Sequence, residues 1–172
     1  AHVFGHSLGG GIALFMARKQ PQRVARLILA STLYWGPRVA MPSARAMQAL
    51  QDRSGDPLEL VKRGTRIATA EGFEARDPQG FQRLIDLRFS SQQTPALYLR
   101  QSSAGLAYFQ QDHITDFTPP MPVLLLVGEH DEVTPPANSQ AIAAAWPGAQ
   151  MQAIPDAGHL FFIERADAAN QA

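Results

Sequence analysis

A serine between two glycines, near the start of the chain, is the first side chain that could do chemistry. Residues 5–9 read Gly-His-Ser-Leu-Gly, which places Ser7 at the centre of a G-x-S-x-G pattern. This pattern is typical of a sharp turn between a strand and a helix, where the serine hydroxyl lies exposed above the edge of a sheet. The backbone N–H of Leu8 would then be one donor to a developing oxyanion. The alternative is a glycine-rich turn at a helix start that binds a phosphate.

A serine hydroxyl is a poor nucleophile at neutral pH, so this hypothesis requires a base and a third group that holds the base. Asp131 follows the apolar run of residues 123–127 closely, and His159 follows a second short strand-like segment by a short loop. In open α/β sheets, ligands bind beyond the carboxyl ends of the strands. The order Ser7, Asp131, His159 along the chain is the order that this strand-turn-helix motif uses. The sequence therefore predicts a Ser-His-Asp triad.

Each of the two partners of the serine has an alternative interpretation. Asp131 could simply initiate a turn, and Glu129 and Glu132 are alternative acids. His159 could be an ordinary loop residue, although the glycine before it and the three apolar residues after it favour a fixed imidazole. Histidines and carboxylates nowhere show the spacing of metal ligands, so we expect no metal and no cofactor.

The residues around these positions predict an α/β fold with a parallel sheet, because strand-like runs alternate with helical patterns. Residues 1–35 have the pattern of a strand end, a helix and a second strand, and residues 118–172 return to strand-like runs. Residues 36–117 hold amphipathic segments and no convincing strand, from which we expect three or four helices. One of these should begin at Thr94-Pro95, a helix cap followed by a proline. We therefore divide the chain into two core segments, 1–35 and 118–172, separated by a helical insertion, 36–117.

Composition indicates a small, neutral partner. Fifteen basic residues balance fifteen acidic ones, so no net field attracts nucleic acid or an anionic membrane. The longest apolar run is far shorter than the roughly 20 residues of a membrane helix. The absence of cysteine excludes disulfides and thiolate nucleophiles and leaves a cytoplasmic location as the default expectation. Composition does not define an oligomeric state.

Three blocks of the sequence resemble the nucleophile, acid and histidine blocks of the α/β-hydrolase fold superfamily. They are residues 5–10, 122–131 and 156–159. The resemblance implies an α/β-hydrolase fold in which residues 36–117 form a helical cap, as in many esterases, lactonases and carbon–carbon bond hydrolases. It also implies that Trp35 faces the substrate pocket, with ordinary packing between cap and core as the alternative.

The activity that the resemblance implies is cleavage of a small carboxylic ester or lactone through an acyl-enzyme. A serine rather than an aspartate at position 7 argues against haloalkane dehalogenation. Two further readings use the same triad: a cofactor-free haloperoxidase and a carbon–carbon bond hydrolase. A non-catalytic, hydrolase-like binding protein is a fourth, but such proteins usually lose a triad member and all three residues are present here.

The resemblance also implies that the family's first strands, and the loop with the second oxyanion donor, lie upstream of Ala1. We therefore expect the 172-residue chain alone to be inactive or barely active, because its central strand lacks a partner on one side and its oxyanion site is half built. Incubation of the purified chain with a p-nitrophenyl ester measures this. Hydrolysis that the Ser7→Ala substitution abolishes would contradict the expectation.

Overall fold

Four parallel strands form one sheet, in the order β1-β2-β3-β4. The computed structural model describes residues 1–52, 54–91, 94–108 and 111–172. The strands are β1 (His2–His6), β2 (Arg26–Ala30), β3 (Val123–Gly128) and β4 (Gln150–Ile154). Because every neighbouring pair is parallel, the carboxyl ends of all four strands lie at the same edge. The predicted α/β fold with a parallel sheet is confirmed.

Helices make up most of the connections between these strands. The helices of the core segments are α1 (Leu8–Lys19), α7 (Pro136–Ala145), α8 (Phe161–Glu164) and α9 (Ala166–Gln171), with a 3₁₀ turn at Pro21–Arg23. The described part of the insertion contains α2 (Ala44–Gln51), α3 (Pro57–Ala68), α4 (Phe73–Arg76), α5 (Pro78–Ser90) and α6 (Pro95–Tyr108), and no strand. The sequence predicted three or four helices there, and the extra one, α4, is a single turn too short to show a helical period. Among the described helices, none is long and apolar enough to cross a membrane.

Side-chain caps determine where the helices of the insertion begin. Asp56 accepts the N–H of Leu58 (2.9 Å) at the start of α3, and Asp77 accepts an N–H at the start of α5. The hydroxyl of Thr94 accepts the N–H of Leu97 at 3.3 Å, and α6 begins one residue after Thr94. The helix start predicted at Thr94-Pro95 is confirmed. Such caps satisfy backbone donors that the first turn of a helix leaves unpaired.

Apolar side chains on both faces of the sheet form the core. Successive strand residues point to opposite faces, so the unbroken apolar run of β3 serves both. One face packs against α1 and α7 through a cluster that includes Leu14, Leu27, Leu29, Leu125 and Ile142. The other face packs against α8 through a cluster that includes Ala30, Leu126, Ile154 and Phe161. This double cover explains why β3 is the most apolar strand.

The contact between α1 and the segment after β2 depends on close approach at two glycines. A Cβ on Gly10 would lie 2.2 Å from Oγ1 of Thr32, and a Cβ on Gly11 would lie 2.5 Å from the ring of Trp35. Trp35 is 2% exposed and donates its indole N–H to Oγ1 of Thr32 (3.0 Å), so the ring has little room to move. Helix α1 therefore lies directly on this indole.

We expect Gly11→Ala to lower the free energy of unfolding by about 1–3 kcal/mol, because the added methyl group overpacks the contact with Trp35. Gly9→Ala is the matched control on the same helix, since a Cβ on Gly9 would meet no atom within 4 Å. The control should leave stability unchanged or raise it by up to about 1 kcal/mol, because alanine favours a helix more than glycine does. Urea unfolding of both variants measures the difference. Equal destabilisation by the two substitutions would show that the contact does not limit packing.

Candidate active site

Ser7 lies in a strained turn between β1 and α1. Its backbone angles are φ 54° and ψ −124°, and a conformation outside the favoured regions costs a non-glycine residue about 1–3 kcal/mol. Hydrogen bonds hold the turn in place. The N–H of Ser7 donates to the carbonyl of Ala30 (3.0 Å), and its carbonyl accepts the N–H of Gly10 (2.9 Å). The hydroxyl of Thr32 also donates to the carbonyl of Ser7, at 2.9 Å. The strand, sharp turn and helix that the G-x-S-x-G pattern predicts are therefore present.

The start of α1 places backbone donors beside Ser7. Leu8 is the first residue of this helix, and an N–H in the first turn has no acceptor within its own helix. The positive end of the helix dipole adds to the attraction for an anion. Gly5 lets β1 and α1 meet closely, because a Cβ there would lie 2.4 Å from the carbonyl oxygen of Gly9. The role of Leu8 as an oxyanion donor stays a prediction.

Asp131 lies in the turn that follows β3 and is 3% exposed. Its Oδ1 accepts the N–H groups of Val133 (2.9 Å) and Thr134 (2.8 Å), and its Oδ2 accepts the hydroxyl of Thr134 (2.7 Å). Burial opposes ionisation of this carboxyl, but the hydrogen bond and charge of His159 and the bonds from Thr134 outweigh it. Together they hold the pKa of Asp131 below its ordinary value. The site therefore stabilises a carboxylate at Asp131.

His159 lies in the loop after β4, 7% exposed, and contacts Asp131 directly. Its Nδ1 lies 2.9 Å from Oδ2 of Asp131. Because a carboxylate oxygen only accepts, Nδ1 carries the proton and donates it, which leaves a lone pair on Nε2. Nε2 forms no hydrogen bond with any residue that the structure describes. An imidazole fixed in this tautomer is arranged as a general base.

The two alternative acids lie apart from this histidine. Glu132 accepts the hydroxyl of Ser43 (2.6 Å) and forms an ion pair with Arg45. The side chain of Glu129 is exposed. Of these three candidate acids, all described, Asp131 is the one with a hydrogen bond to His159. The turn-forming alternative for Asp131 is also present, because Oδ1 caps the turn while Oδ2 faces the imidazole.

Thr134 is a site residue that the sequence analysis did not assign. Its hydroxyl lies 2.7 Å from Oδ2 of Asp131 and 3.1 Å from Nδ1 of His159, so it contacts both members of the pair. The signal for it was available, because a threonine three residues after an aspartate is a common partner in an aspartate-capped turn. The contact with His159 could not be predicted from the sequence, because it joins residues 25 positions apart.

His6 connects the serine turn to the histidine loop. Nε2 of His6 lies 2.9 Å from the carbonyl oxygen of His159, and because a carbonyl only accepts, His6 donates this bond. The two imidazole rings lie 4.6 Å apart, and the ring of Phe162 meets His6 edge-on at 4.9 Å. Of the hydrogen bonds between described residues, none joins Ser7 itself to His159. The structure therefore brings Asp131 and His159 together and links Ser7 to them through its neighbour His6.

Trp35 lies in the core between α1 and α6. It is 2% exposed, and its ring meets that of Tyr108 edge-on at 5.7 Å. Its indole N–H donates to Thr32, whose hydroxyl in turn donates to the carbonyl of Ser7. Trp35 is therefore linked to the serine turn through Thr32, and its role toward a substrate stays a prediction.

A cleft of about 500 Å³ opens beside the acid. Its lining includes Asp131 and three further acidic side chains from the loops after β3 and β4, together with Ala70, Glu71 and Arg76 from the insertion. Neither Ser7 nor His159 is among the residues that line it. The cleft therefore lies at the carboxyl edge of the sheet, between core and insertion, on the side of Asp131.

The model of the α/β-hydrolase fold family matches residues 1–166. The chain therefore belongs to this family. A poly(3-hydroxyalkanoate) depolymerase of Ectopseudomonas oleovorans is 31% identical over 169 residues, which make up 97% of this chain and 57% of the depolymerase. The chain thus spans little more than half the length of this relative.

Solved structures share the same fold. A thermophilic esterase from Thermogutta terrifontis superposes with a TM-score of 0.72 and 29% identity, over 98% of this chain and 61% of the esterase. The enol-lactonase from Burkholderia xenovorans LB400 superposes with a TM-score of 0.74 over 99% of this chain and 63% of the lactonase. At 24% identity, the second likeness shows the fold alone.

Acid should destabilise the protein through His6. Burial, and then the charge of His159, lower the pKa of His6 from 6.5 to about 4. As the pH falls below 6.5, the unfolded chain therefore binds a proton at this residue that the folded chain excludes. At 1.36 kcal/mol per pH unit, this lowers the free energy of unfolding by about 2 kcal/mol between pH 6.5 and 4.5.

His6→Gln tests this prediction, because glutamine keeps an N–H donor for the carbonyl of His159 and does not titrate. Urea unfolding gives the free energy of unfolding at pH 6.5 and at pH 4.5. Between these two values, the His6→Gln variant should lose about 2 kcal/mol less than the unsubstituted protein does. His2→Gln, at the exposed start of the same strand, is the control and should keep the full loss. An equal loss in the His6→Gln variant and the unsubstituted protein would refute the assignment.

Proposed function

We propose that the protein containing this chain is a serine hydrolase that cleaves a small carboxylic ester or lactone. The observation that carries the proposal is the buried hydrogen bond from Nδ1 of His159 to Oδ2 of Asp131. It leaves Nε2 as the basic nitrogen, at the edge of the sheet where β1 ends at the Ser7 turn. Hydroxyl, imidazole and carboxylate then have the roles of nucleophile, base and orienting acid.

In the proposed reaction, Nε2 of His159 takes the proton of the Ser7 hydroxyl as its oxygen attacks the carbonyl carbon of the substrate. The carboxylate of Asp131 stabilises the imidazolium, and the N–H of Leu8 donates to the oxyanion. The leaving alcohol receives its proton from His159, which leaves an acyl-enzyme. Water activated by His159 then releases the acid. Hydrogen bonds between serine and base are often long without substrate and tighten when it binds.

Two similar proteins favour hydrolysis of an ester over the other reactions of this triad. The esterase from Thermogutta terrifontis is 29% identical and the depolymerase of Ectopseudomonas oleovorans is 31% identical. The balanced charge of the chain fits a neutral substrate. Comparing hydrolysis rates for esters, lactones and carbon–carbon substrates separates these reactions, and bromide-dependent halogenation identifies a haloperoxidase.

We expect a fluorophosphonate to label Ser7 covalently in the full-length gene product, because its hydroxyl is activated by His159. Ser7→Ala should abolish labelling and ester hydrolysis. Asp131→Asn should lower kcat on the order of 10³- to 10⁴-fold, since the imidazole then loses its acceptor and its tautomer. Mass spectrometry of the labelled peptide and p-nitrophenyl ester kinetics measure these effects.

Ser90→Ala is the control for this experiment. Ser90 is an exposed serine of α5 whose hydroxyl donates to the carbonyl of Leu87, so its removal should change neither labelling nor rate. Labelling that persists after Ser7→Ala, or a full-length protein that is never labelled, would exclude an acyl-enzyme at Ser7. The second outcome would favour a non-catalytic binding protein.

A further inference from the structure

The carboxylate of Glu164, the last residue of α8, joins two segments that are far apart in sequence. Oε2 accepts the N–H of Ala70 at 2.7 Å, across 94 residues, and Oε1 accepts the N–H of Gly158 at 2.8 Å. Ala70 belongs to the insertion, just beyond the end of α3, and Gly158 precedes the proposed base, His159. One side chain therefore ties the insertion to the loop that carries the base.

Two further contacts hold the same loop against the end of α3. The N–H of Leu160, directly after His159, donates to the carbonyl of Ala68 at 2.8 Å. Gly158 lies so close to Thr69 that a Cβ on it would be 2.7 Å from the carbonyl carbon of Thr69. The backbone on both sides of His159 thus touches the insertion, and the side chain of Glu164 binds both segments.

We propose that Glu164 is a positioning residue that holds the backbone at His159 in the orientation in which Nδ1 meets Asp131. This inference rests on the proposed function, because it assigns Glu164 a role for the base of that reaction. Glu164 does not touch the reacting atoms. It acts through the N–H of Gly158, one residue before the imidazole, and through its hold on Ala70.

A carboxylate suits this position better than any neutral side chain. Two N–H donors point at it from different segments, and a carboxylate has an acceptor oxygen for each. A glutamine would present its NH₂ group to one of them. Burial raises the pKa of Glu164, and the N–H groups of Ala70 and Gly158 and the charges of Arg76 and Arg165 counteract this. Burial therefore disfavours the ionised carboxylate of Glu164, and the hydrogen bonds from the two N–H groups offset part of that free energy.

Glu164→Gln in the full-length gene product tests the proposal. We expect kcat for a p-nitrophenyl ester to fall on the order of 10- to 100-fold with little change in KM, because a small misplacement of the base slows chemistry more than binding. We also expect the proton NMR signal of Nδ1–H of His159, assigned by its loss in Asp131→Asn, to shift or broaden. Urea unfolding establishes that the variant is folded.

Glu59→Gln is the matched control. It makes the same change of charge and shape on α3, where Glu59 forms an exposed ion pair with Lys62, and it should leave both the rate and the NMR signal unchanged. If Glu164→Gln fails to fold, Glu164→Asp replaces it. That variant keeps the charge but is one methylene too short to span both N–H groups, and should show the same loss of rate and altered signal.

Unchanged kcat and an unchanged Nδ1–H signal in a folded Glu164 variant would overturn the proposal, as would an equal loss in Glu59→Gln. Failure of the proposed function gives a different result. In that case the unsubstituted protein neither hydrolyses esters nor reacts with the fluorophosphonate. The NMR signal of the His159–Asp131 pair then still reports whether Glu164 positions the imidazole.

Discussion

The hydrogen bond between Nδ1 of His159 and Oδ2 of Asp131 joins the loops that follow two neighbouring strands, and it is almost fully buried. Burying a carboxylate is unfavourable unless its acceptor oxygens are satisfied. Here the backbone of Val133, and both the backbone and the hydroxyl of Thr134, fill the other acceptor positions of Asp131. The turn after β3 therefore supplies the hydrogen-bond donors that the buried carboxylate of Asp131 requires.

This pairing in turn requires that the loops after β3 and β4 approach each other closely. Gly128, the last residue of β3, makes this approach possible, since a Cβ there would lie 2.0 Å from the carbonyl oxygen of Gly158. The N–H of Glu129 donates to the carbonyl of Ile154, and the N–H of His130 donates to the carbonyl of Ala157. These two bonds continue the pairing of β3 and β4 into the loops. The parallel sheet thus aligns Asp131 and His159 by extending its own hydrogen bonds.

The serine turn, and the places of Asp131 and His159 in the loops after two strands, were predictable because each has a local signature. Ser7 has its flanking glycines, Asp131 follows the most apolar run, and His159 follows a glycine in the next strand's loop. The parallel strands and the start of α6 were predictable for the same reason, since periodicity and caps such as Thr94-Pro95 act over a few residues. The single turn of α4 was not, because four residues show no period.

The contacts that fix these groups relative to one another were not predictable. His6 meets the carbonyl of His159 across 153 residues, and Glu164 meets Ala70 across 94. Neither pair has a spacing rule, because the distance in sequence depends on the length of the insertion between them. Trp35 shows the same limit, since its position just after a strand fits both a pocket and the core, and its close contact with Gly11 has no signal in the sequence.

The loop that carries His159 is held from three directions that belong to different parts of the chain. Asp131 binds the imidazole from the loop after β3, His6 binds the backbone from the serine turn, and Glu164 binds it together with the end of α3. The insertion therefore contacts the loop of His159 directly, and the insertion has its own apolar packing through Phe73, Phe81 and Leu84.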